Sequence, residues 1–347
     1  MNILAILCVR NEGAFLMDWL AHHKACGFAD FLVFSNDCQD GSDDMLDALA
    51  ADGHLTHVRN DGPYDKGGIQ FTALKMAAKM DVVKSADWIL PIDVDEFVNI
   101  HVGDGTVSDL MAALPQATAI TLTWRLFGND GQVRFVDAPP TQTFTRAAPQ
   151  VMHWPWRAAM FKTLYRNDGT YRKPGVHRPR DTVEDRLPDA RWFDGEGREL
   201  DEQFKTRRIF SNFGRSNYAL AQLNHYPLGT MESYVLKADR GRAVHSEDLL
   251  GLDYWVERNW NTEEDTSIHR MSERSKMARQ GLAIPRIQTL HDQAVEWRKR
   301  RFDTLMQQEP YRALFGRLLM TPTSRPVPEK AAQFMVRYAN LARQQAQ

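Results

Sequence analysis

The sequence has no excess of charge of either sign. Its 347 residues include 43 Lys plus Arg and 45 Asp plus Glu, a formal net charge of −2 with neutral histidines. Domains that bind nucleic acid are normally strongly basic, so this balance argues against nucleic-acid binding. Hydrophobic residues make up 43% of the chain and charged residues 25%, which is typical of a globular protein.

Cysteine is scarce, and long apolar runs are absent. The three cysteines, Cys8, Cys26 and Cys38, are odd in number, and their spacing fits neither a disulfide framework nor a zinc site. No stretch approaches the roughly 18 apolar residues of a transmembrane helix. The first apolar run, Ile3–Val9, lacks the preceding basic segment of a signal peptide. We therefore expect a cytoplasmic protein.

The first hundred residues alternate between predicted strands and helices. Apolar runs of strand length lie at residues 3–9, 31–34, 54–59 and 87–92. Helical spacing of apolar residues lies between them, at residues 12–26, 42–49 and 66–84. This alternation predicts an α/β protein with a largely parallel sheet and right-handed crossovers.

The rest of the chain predicts first more strands and then helices. Further strands are predicted at residues 119–124, 158–165 and 219–225, and helices at 107–114, 231–241, 268–281, 287–308 and 329–346. We therefore predict a sheet domain over residues 1–240 and a helical C-terminal extension over residues 241–347.

Polar side chains follow three of the predicted strands, at the point where each strand ends. These side chains are Arg10, Asn11 and Glu12 after the first strand, Asn36 and Asp37 after the second, and Asp93 and Asp95 after the fourth. In open α/β sheets, ligands bind at the carboxyl ends of the strands. The sequence therefore predicts a ligand site at this edge.

The acidic cluster Asp93, Asp95 and Glu96 has the chemistry of a cation site. Asp93 and Asp95 are two residues apart, so in extended chain their carboxylates point to the same side. Carboxylate oxygens suit hard divalent cations such as Mg²⁺ or Mn²⁺. The alternative is a solvated acidic turn. Glu96 points to the other face, where it either serves the site or holds the turn by hydrogen bonds.

Three segments resemble those of GT-A-fold glycosyltransferases and occur in the same order. They are ILCVRNEGAFLMDWLAHHKACGF, FSNDCQDGSDDM and WILPIDVDEFV. The chain is similar here to the bacterial family-two-like group and also to family ninety-two type enzymes, over roughly residues 2–240. The resemblance implies the GT-A fold, a mixed, mainly parallel sheet. It also implies a nucleotide-sugar donor, UDP-linked by preference, and a glycan or lipid-linked acceptor.

The same resemblance suggests site residues. It places Mn²⁺ or Mg²⁺ on Asp95 with Asp93 in support, and a histidine, His177 or His225, as a further ligand. It assigns the donor nucleotide and its phosphates to Val9, Arg10, Glu12, Asn36, Asp37, Asp93 and Lys173. Apart from the resemblance, Arg59 ends the third predicted strand, where a cation could meet a phosphate. Structural alternatives stay open, because Glu12 also suits the first turn of a helix and Asp37 suits a turn.

Transfer with inversion needs a base that takes the proton of the acceptor hydroxyl. Asp130, Asp181 and Glu184 are the candidates, although Glu184-Asp185 resembles the family's acid pair only loosely.

Two other functions compete with this interpretation, and contact with a membrane is a separate hypothesis within it. A nucleotidyltransferase would carry a phosphate loop rich in Gly and Lys or Arg after the first strand, which Arg10-Asn11-Glu12-Gly13 does not provide. A non-catalytic sugar-binding protein would share the fold without turnover. The basic run of residues 298–301 raises peripheral contact with the inner face of the membrane as a hypothesis.

Overall fold

The computed structural model describes residues 1–64, 67–241 and 250–345. Its strands are β1 (Ile3–Val9), β2 (Asp30–Ser35), β3 (Thr56–Arg59), β4 (Trp88–Pro91), β5 (Glu96–Ile100), β6 (Ala119–Leu126), β7 (Arg146–Ala147), β8 (Phe161–Arg166), β9 (Tyr171–Lys173), β10 (Arg180–Thr182), β11 (Trp192–Asp194), β12 (Ala221–His225) and β13 (Glu263–Glu264).

The helices are α1 (Gly13–Ala25), α2 (Ser42–Ala51), α3 (Ile69–Ala77), α4 (Asp81–Lys84), α5 (Val107–Ala113), α6 (Pro140–Thr143), α7 (Glu202–Thr206), α8 (Met231–Arg240), α9 (Leu252–Val256), α10 (Ser272–Leu282), α11 (Pro285–Met306), α12 (Glu309–Met320) and α13 (Glu329–Gln345). Short 3₁₀ turns cover Trp156–Ala159, Glu184–Asp189 and Ser267–Met271. Within the described ranges, no helix is both long and apolar enough to cross a membrane.

Nine of the described strands form one sheet in the order β3-β2-β1-β4-β8-β6-β12-β5, with β11 beside the first half of β6. The pairs among β3, β2, β1 and β4 are parallel, as are the pairs of β6 with β11 and β12. β8 runs antiparallel to β4 and β6, and β5 runs antiparallel to β12. The structure thus confirms the α/β class and the mixed, mainly parallel sheet.

Both faces of the sheet are covered. Along β1, Ile3 and Leu7 point into one buried cluster, and Leu4 and Ile6 into another. A strand buried on both faces reads as a continuous apolar run, because successive side chains alternate between the two sides. This is why Ile3–Val9 shows no polar alternation.

The helical C-terminal extension is present and packs on the sheet domain. α10 contacts α1, α11 contacts both α1 and α2, and α12 contacts α8. A third apolar cluster, which includes Tyr234, Trp255, Leu305 and Leu318, lies among α8, α9, α11 and α12. The predicted boundary near residue 240 stays a prediction, although the helices on its two sides pack together.

One predicted helix needs correction, and the helix α12 was not predicted. The helix predicted over residues 66–84 is interrupted, because Met80 adopts an extended backbone (φ −80°, ψ 145°) and separates α3 from α4. The segment of α12 was not predicted to be helical. It has Pro310 in its first turn, where proline is tolerated because the missing N–H has no helical partner.

Candidate active-site cleft

A cleft of about 200 Å³ opens at the carboxyl edge of the sheet. Its walls come from the ends of β1, β2 and β4, from β6 and β12, and from α3 and α8. The main lining residues are Val9, Arg10, Glu12, Asn36, Gln70, Asp93, Asp95, Trp124, His225, Lys237 and Arg240. β1, β4, β6 and β12 all run in one direction, so their ends meet here. The structure therefore brings together most of the predicted strand-end residues.

The turn after β4 is held by Glu96. Its side chain is fully buried, and its two carboxylate oxygens accept hydrogen bonds from the backbone N–H of Asp93 (2.9 Å) and from Nε1–H of Trp124 (2.6 Å). Burial raises the pKa of Glu96 above its usual value, although the nearby Lys162 acts in the opposite direction. Of the two roles left open for Glu96, the structure shows the one that holds the turn.

Asp93 is fixed by protein partners. Lys162 donates to Oδ2 at 2.8 Å, and Gln70 donates to Oδ1 at 2.6 Å. The Lys162 side chain is only 1% exposed, and its ammonium also lies 3.6 Å from Glu96. Burial would lower the pKa of Lys162, but the carboxylates around it raise that pKa instead. Lys162 therefore stays charged, and its ammonium compensates the charge of Asp93.

Asp95 lies beside a second lysine and a histidine. Lys237 of α8 donates to Oδ2 at 2.8 Å and to the carbonyl of Pro227 at 2.7 Å. Nε2 of His225 lies 3.6 Å from Oδ1 of Asp95. Burial would raise the pKa of Asp95, but Lys237 and His225 outweigh it and lower that pKa well below its usual range. Asp95 is therefore an anion at neutral pH.

The two candidate histidines flank one tryptophan. The rings of His225 and His177 lie 4.3 Å and 5.8 Å from that of Trp124. Nδ1 of His177 is bound to the carbonyl of Phe161, whereas Nδ1 of His225 is buried and has no partner among the described residues. Burial and Lys162 lower the pKa of His177 to about 4. Burial also lowers the pKa of His225, so both rings are neutral at pH 7.

The ends of β1 and α8 are joined by two arginines. Arg240 pairs with Glu12 and donates to the carbonyl of Arg10 at 2.9 Å, while Arg10 donates to the carbonyl of Arg240. Burial and the neighbouring charges of Arg298 and Arg10 lower the pKa of Arg240 to about 10, so it remains a cation. Arg10, Arg240 and Lys237 face the two carboxylates of Glu12 and Asp95 here, so this corner of the cleft has one positive charge in excess and suits an anionic ligand.

At the end of β2, Asn36 lines the cleft and Asp37 does not. Both ends of the Asn36 amide are used inside the protein, because it donates to the carbonyl of Val9 and accepts from Asn60. Asp37 has a left-handed backbone (φ 48°) and accepts hydrogen bonds from Tyr64 and Gly62. This geometry is that of a turn residue, the alternative left open by the sequence.

Five other candidates lie away from the cleft. Arg59 pairs with Asp47, Lys173 and Asp181 pair with each other on the exposed β9–β10 hairpin, Asp130 lies in the loop after β6, and Glu184 begins an exposed 3₁₀ turn. None of the five is among the residues that line the cleft. Arg59 ends β3, the edge strand of the sheet, and its side chain pairs with α2 instead. The other four lie in loops and a hairpin, and the sequence does not specify where these fold back.

Lys162, Lys237 and Arg240 are not among the site residues predicted from the sequence. Signals for them exist. Lys162 is a charged residue within the buried strand β8, where lysine is rare unless it is paired. Lys237 and Arg240 are three residues apart on the helix that follows His225, so they share one helix face.

The predicted metal ligands fit a cation only in part. Among the described residues, no group of three His, Cys, Asp or Glu side chains converges on one point. Both oxygens of Asp93 are occupied by protein donors. Asp95 and His225 remain, with donor atoms 3.6 Å apart, which is compatible with two ligands of one ion at roughly 2.1 Å each. Lys237 competes for the other oxygen of Asp95.

The fold and the site together define a mixed α/β protein with a cation-rich cleft at the carboxyl edge of its sheet. No protein-family model matches the chain. It is similar to a glycosyltransferase family 92 protein of Oryza sativa subsp. japonica, at 24% identity over 150 residues, which are 41% of this chain and 24% of that protein.

A second family 92 glycosyltransferase, from Ricinus communis, is 28% identical over 98 residues, which are 27% of this chain and 16% of that protein. The matches thus span about a quarter or less of each relative. A crystal structure of S. aureus TarS 1-349 in complex with UDP-GlcNAc aligns with 79% of this chain and 71% of that chain, at 15% identity and a TM-score of 0.35. The two curated relatives confirm the resemblance to family ninety-two type glycosyltransferases.

Proposed function

We propose that this protein is a glycosyltransferase whose cleft binds a nucleotide-diphosphate sugar, UDP-linked by preference, and whose acceptor is a glycan or a lipid-linked molecule. One observation carries the proposal: Asp93, Asp95, Lys237, Arg240 and Arg10 converge at the carboxyl edge of the sheet. The similarity to family 92 glycosyltransferases supports the class of reaction. The donor and the acceptor rest on the motif resemblance alone.

The reaction exchanges one bond for another at the anomeric carbon. The bond from that carbon to the phosphate oxygen breaks, the acceptor hydroxyl oxygen forms the new bond, and the hydroxyl proton passes to solvent water or to the departing diphosphate. Negative charge grows on the departing diphosphate, and positive groups beside it lower the barrier. In this proposal, Lys237 and Arg240 face the diphosphate, while Lys162 and Glu96 keep the turn of Asp93 and Asp95 rigid.

A divalent cation, Mn²⁺ or Mg²⁺, is part of the proposal. Asp95 and His225 would hold it, because Nε2 of His225 lies 3.6 Å from Oδ1 of Asp95, the oxygen that Lys237 does not occupy. The ion would supply Lewis-acid charge to the leaving diphosphate. Asp93 would support the site, since both of its oxygens accept from protein donors. His177, whose Nδ1 is bound to the carbonyl of Phe161, would be the alternative histidine ligand through its Nε2.

Donor turnover by the purified full chain tests the proposal. UDP-, GDP- and dTDP-sugars are incubated with Mn²⁺, with Mg²⁺ or with EDTA, and release of the nucleoside diphosphate is followed. We expect hydrolysis of one donor and a loss of about 100-fold in Asp95→Asn. Asp81→Asn is the matched control, because Asp81 is 98% exposed and contacts Lys84 only on the surface.

Three outcomes separate the competing functions. Sugar binding without turnover of any donor would favour the non-catalytic binder and contradict the proposal. Release of pyrophosphate from a nucleoside triphosphate in the presence of a sugar phosphate would favour a nucleotidyltransferase. Donor turnover that is insensitive to EDTA but lost in Lys237→Met would support the glycosyltransferase activity and contradict the metal requirement. The ammonium of Lys237 would then be the cation that acts beside Asp95.

A further inference from the structure

A second, more apolar chamber adjoins the cleft on the other side of Asp95. It encloses about 80 Å³, room for several water-sized groups. Among the residues that line it are Phe15, Phe135, Phe144, Leu228, Trp297 and Arg298. The two cavities share Glu12, Val94, Asp95, Lys237 and Arg240 as lining residues, so the chamber reaches the predicted point of sugar transfer.

The chamber contains a buried arginine. The Arg298 side chain is only 6% exposed, and its guanidinium carbon lies 4.6 Å and 4.8 Å from the ring centres of Phe15 and Phe135. One of its nitrogens donates to Oγ of Ser233 at 3.0 Å. Its Nε is buried and has no hydrogen-bond partner among the described residues. The two rings hold the guanidinium in place without neutralising it.

Among the described residues, each carboxylate that lines the chamber is paired with a cation, whereas Arg298 has no anion in contact. The lining carboxylates of Glu12, Asp95 and Asp239 are paired with Arg240, Lys237 and Arg301, respectively. Within the parts of the chain that the structure describes, Arg298 has no carboxylate at ion-pair distance.

The carboxylates of Asp40 and Glu232 attract Arg298 from beyond ion-pair distance, so they compensate part of its charge without bonding to its nitrogens. Asp40 accepts from the backbone of Gly13, and Glu232 accepts from the backbone N–H of Phe135. A buried charge without a close partner is costly, and a ligand anion would remove that cost.

We propose that this chamber binds an acceptor that carries an anionic group, a phosphate or a carboxylate, next to an apolar portion. The anion would lie on Arg298, with Ser233 beside it, and the apolar portion would pack on Phe135, Phe144 and Leu228. The role of this ligand as an acceptor rests on the proposed glycosyltransferase function, whereas the binding of an anion rests on the geometry of the chamber alone.

Short alkyl ligands test the chemistry of the chamber directly. Octyl phosphate, octanoate, octanol and inorganic phosphate are titrated into the full chain by isothermal calorimetry. We expect at least one octyl anion to bind about tenfold or more tightly than octanol, and inorganic phosphate to bind weakly because it lacks the apolar part. Octyl phosphate and octanoate have alkyl chains of nearly equal length, so the tighter of the two shows whether phosphate or carboxylate suits Arg298 better.

Variants locate the binding. Arg298→Met should weaken the octyl anions about 30-fold and leave octanol unchanged, because the charge-assisted hydrogen bonds are lost. Arg298→Lys keeps the charge without the planar fork and should give an intermediate affinity, which keeps the test valid if the Met variant does not fold. Arg300→Met is the control, since Arg300 is exposed on the same helix. Octyl anions that bind no better than octanol, or equally well in Arg298→Met, would overturn the proposal.

Titration of UDP in the same samples separates the two proposals. UDP binding that persists in Arg298→Met shows an intact donor cleft, so loss of octyl phosphate there reports on the chamber. If the wild-type chain binds octyl anions but no nucleotide, the chamber proposal stands and the proposed function fails.

Discussion

Lys162 shows how a single buried residue shapes the candidate site. Its ammonium lies between Asp93 and Glu96 and is almost completely shielded from water. Removing one partner of a buried ion pair leaves the other charge without compensation, which costs more than the pair contributes. Lys162 is therefore expected to matter first for stability and only then for catalysis.

We predict that Lys162→Met lowers the free energy of unfolding by about 3 kcal/mol, measured by urea denaturation. Adding Asp93→Asn should return part of that loss, because the side chain left without its cation is then neutral. The matched control is Lys84→Met, whose pair with Asp81 is exposed and should contribute less than about 1 kcal/mol. Equal stability of Lys162→Met and the wild type would contradict the claim that Lys162 stabilises the turn of Asp93 and Glu96.

Lys237 competes with a divalent ion for Asp95, and this competition can be measured without substrate. Two charges about 4 Å apart near a protein surface interact by about 4 kcal/mol. We predict that Lys237→Met binds Mn²⁺ at least about tenfold more tightly than the wild type, as followed by electron paramagnetic resonance of free Mn²⁺. The double variant Lys237→Met/Asp95→Asn should lose this gain. Unchanged or weaker Mn²⁺ binding in Lys237→Met would count against an ion on Asp95.

At the scale of elements, α1 carries two histidines into the core. Nε2 of His22 lies 2.7 Å from the carbonyl oxygen of Val98, and Nδ1 of His23 lies 2.8 Å from that of Trp19. Burial lowers the pKa of His22 to about 4 and the pKa of His23 well below its usual value. Both rings are therefore neutral in the folded protein.

These histidines make the protein sensitive to acid. Above pH 6.5 they are neutral in the folded and the unfolded chain, so they add no pH dependence. Below pH 6.5 only the unfolded chain takes up protons, so the free energy of unfolding falls as the pH drops towards 4. We predict a loss of about 3 kcal/mol from His22 alone, measured by urea denaturation at pH 7 and pH 4.

His22→Gln is the test variant, because its amide keeps a donor for the carbonyl of Val98 and does not titrate. Its stability should decline less between pH 7 and pH 4 than that of the wild type. The same decline in both proteins would place the acid sensitivity elsewhere.

At the scale of the whole molecule, the C-terminal helices are held against the sheet domain by close contacts. A Cβ added to Gly13 at the start of α1 would lie 2.7 Å from Cβ of Ala294 on α11, well inside normal carbon contact. α11 thus approaches α1 at a distance that only glycine permits at this position. The first helix and the C-terminal extension are fitted to each other.

We predict that Gly13→Ala lowers the free energy of unfolding by about 1–3 kcal/mol, because α11 must move away from α1. Ala294→Gly in the same chain should recover part of the loss, apart from the lower helix propensity of glycine. Gly281→Ala on α10 is the control, since its new Cβ meets nothing within 4 Å and should be neutral or slightly stabilising. Denaturation of the four chains measures these differences.

Much of the fold and part of the site were predictable from sequence, for identifiable reasons. Buried parallel strands are continuous apolar runs, so β1, β2 and β4 were found within two residues of their true bounds. Residues at the ends of those strands, such as Glu12 and Asp95, were placed correctly because parallel strands present their ends at one edge. Lys173 and Asp181 were not, because a hairpin that follows irregular chain has no such constraint.

Local patterns in the sequence specify the α/β class, the position of the acidic turn and the edge at which the strand ends meet. These follow from the local periodicity of apolar residues and from the parallel direction of the strands. Which cations face the acids depends on tertiary packing, because Lys162 on β8 and Lys237 on α8 are 69 and 142 residues away from their partners. Tertiary packing also buries Arg298, one of a run of basic residues, against two phenylalanines. Contacts between such distant residues depend on packing, and packing is not a local property of the chain.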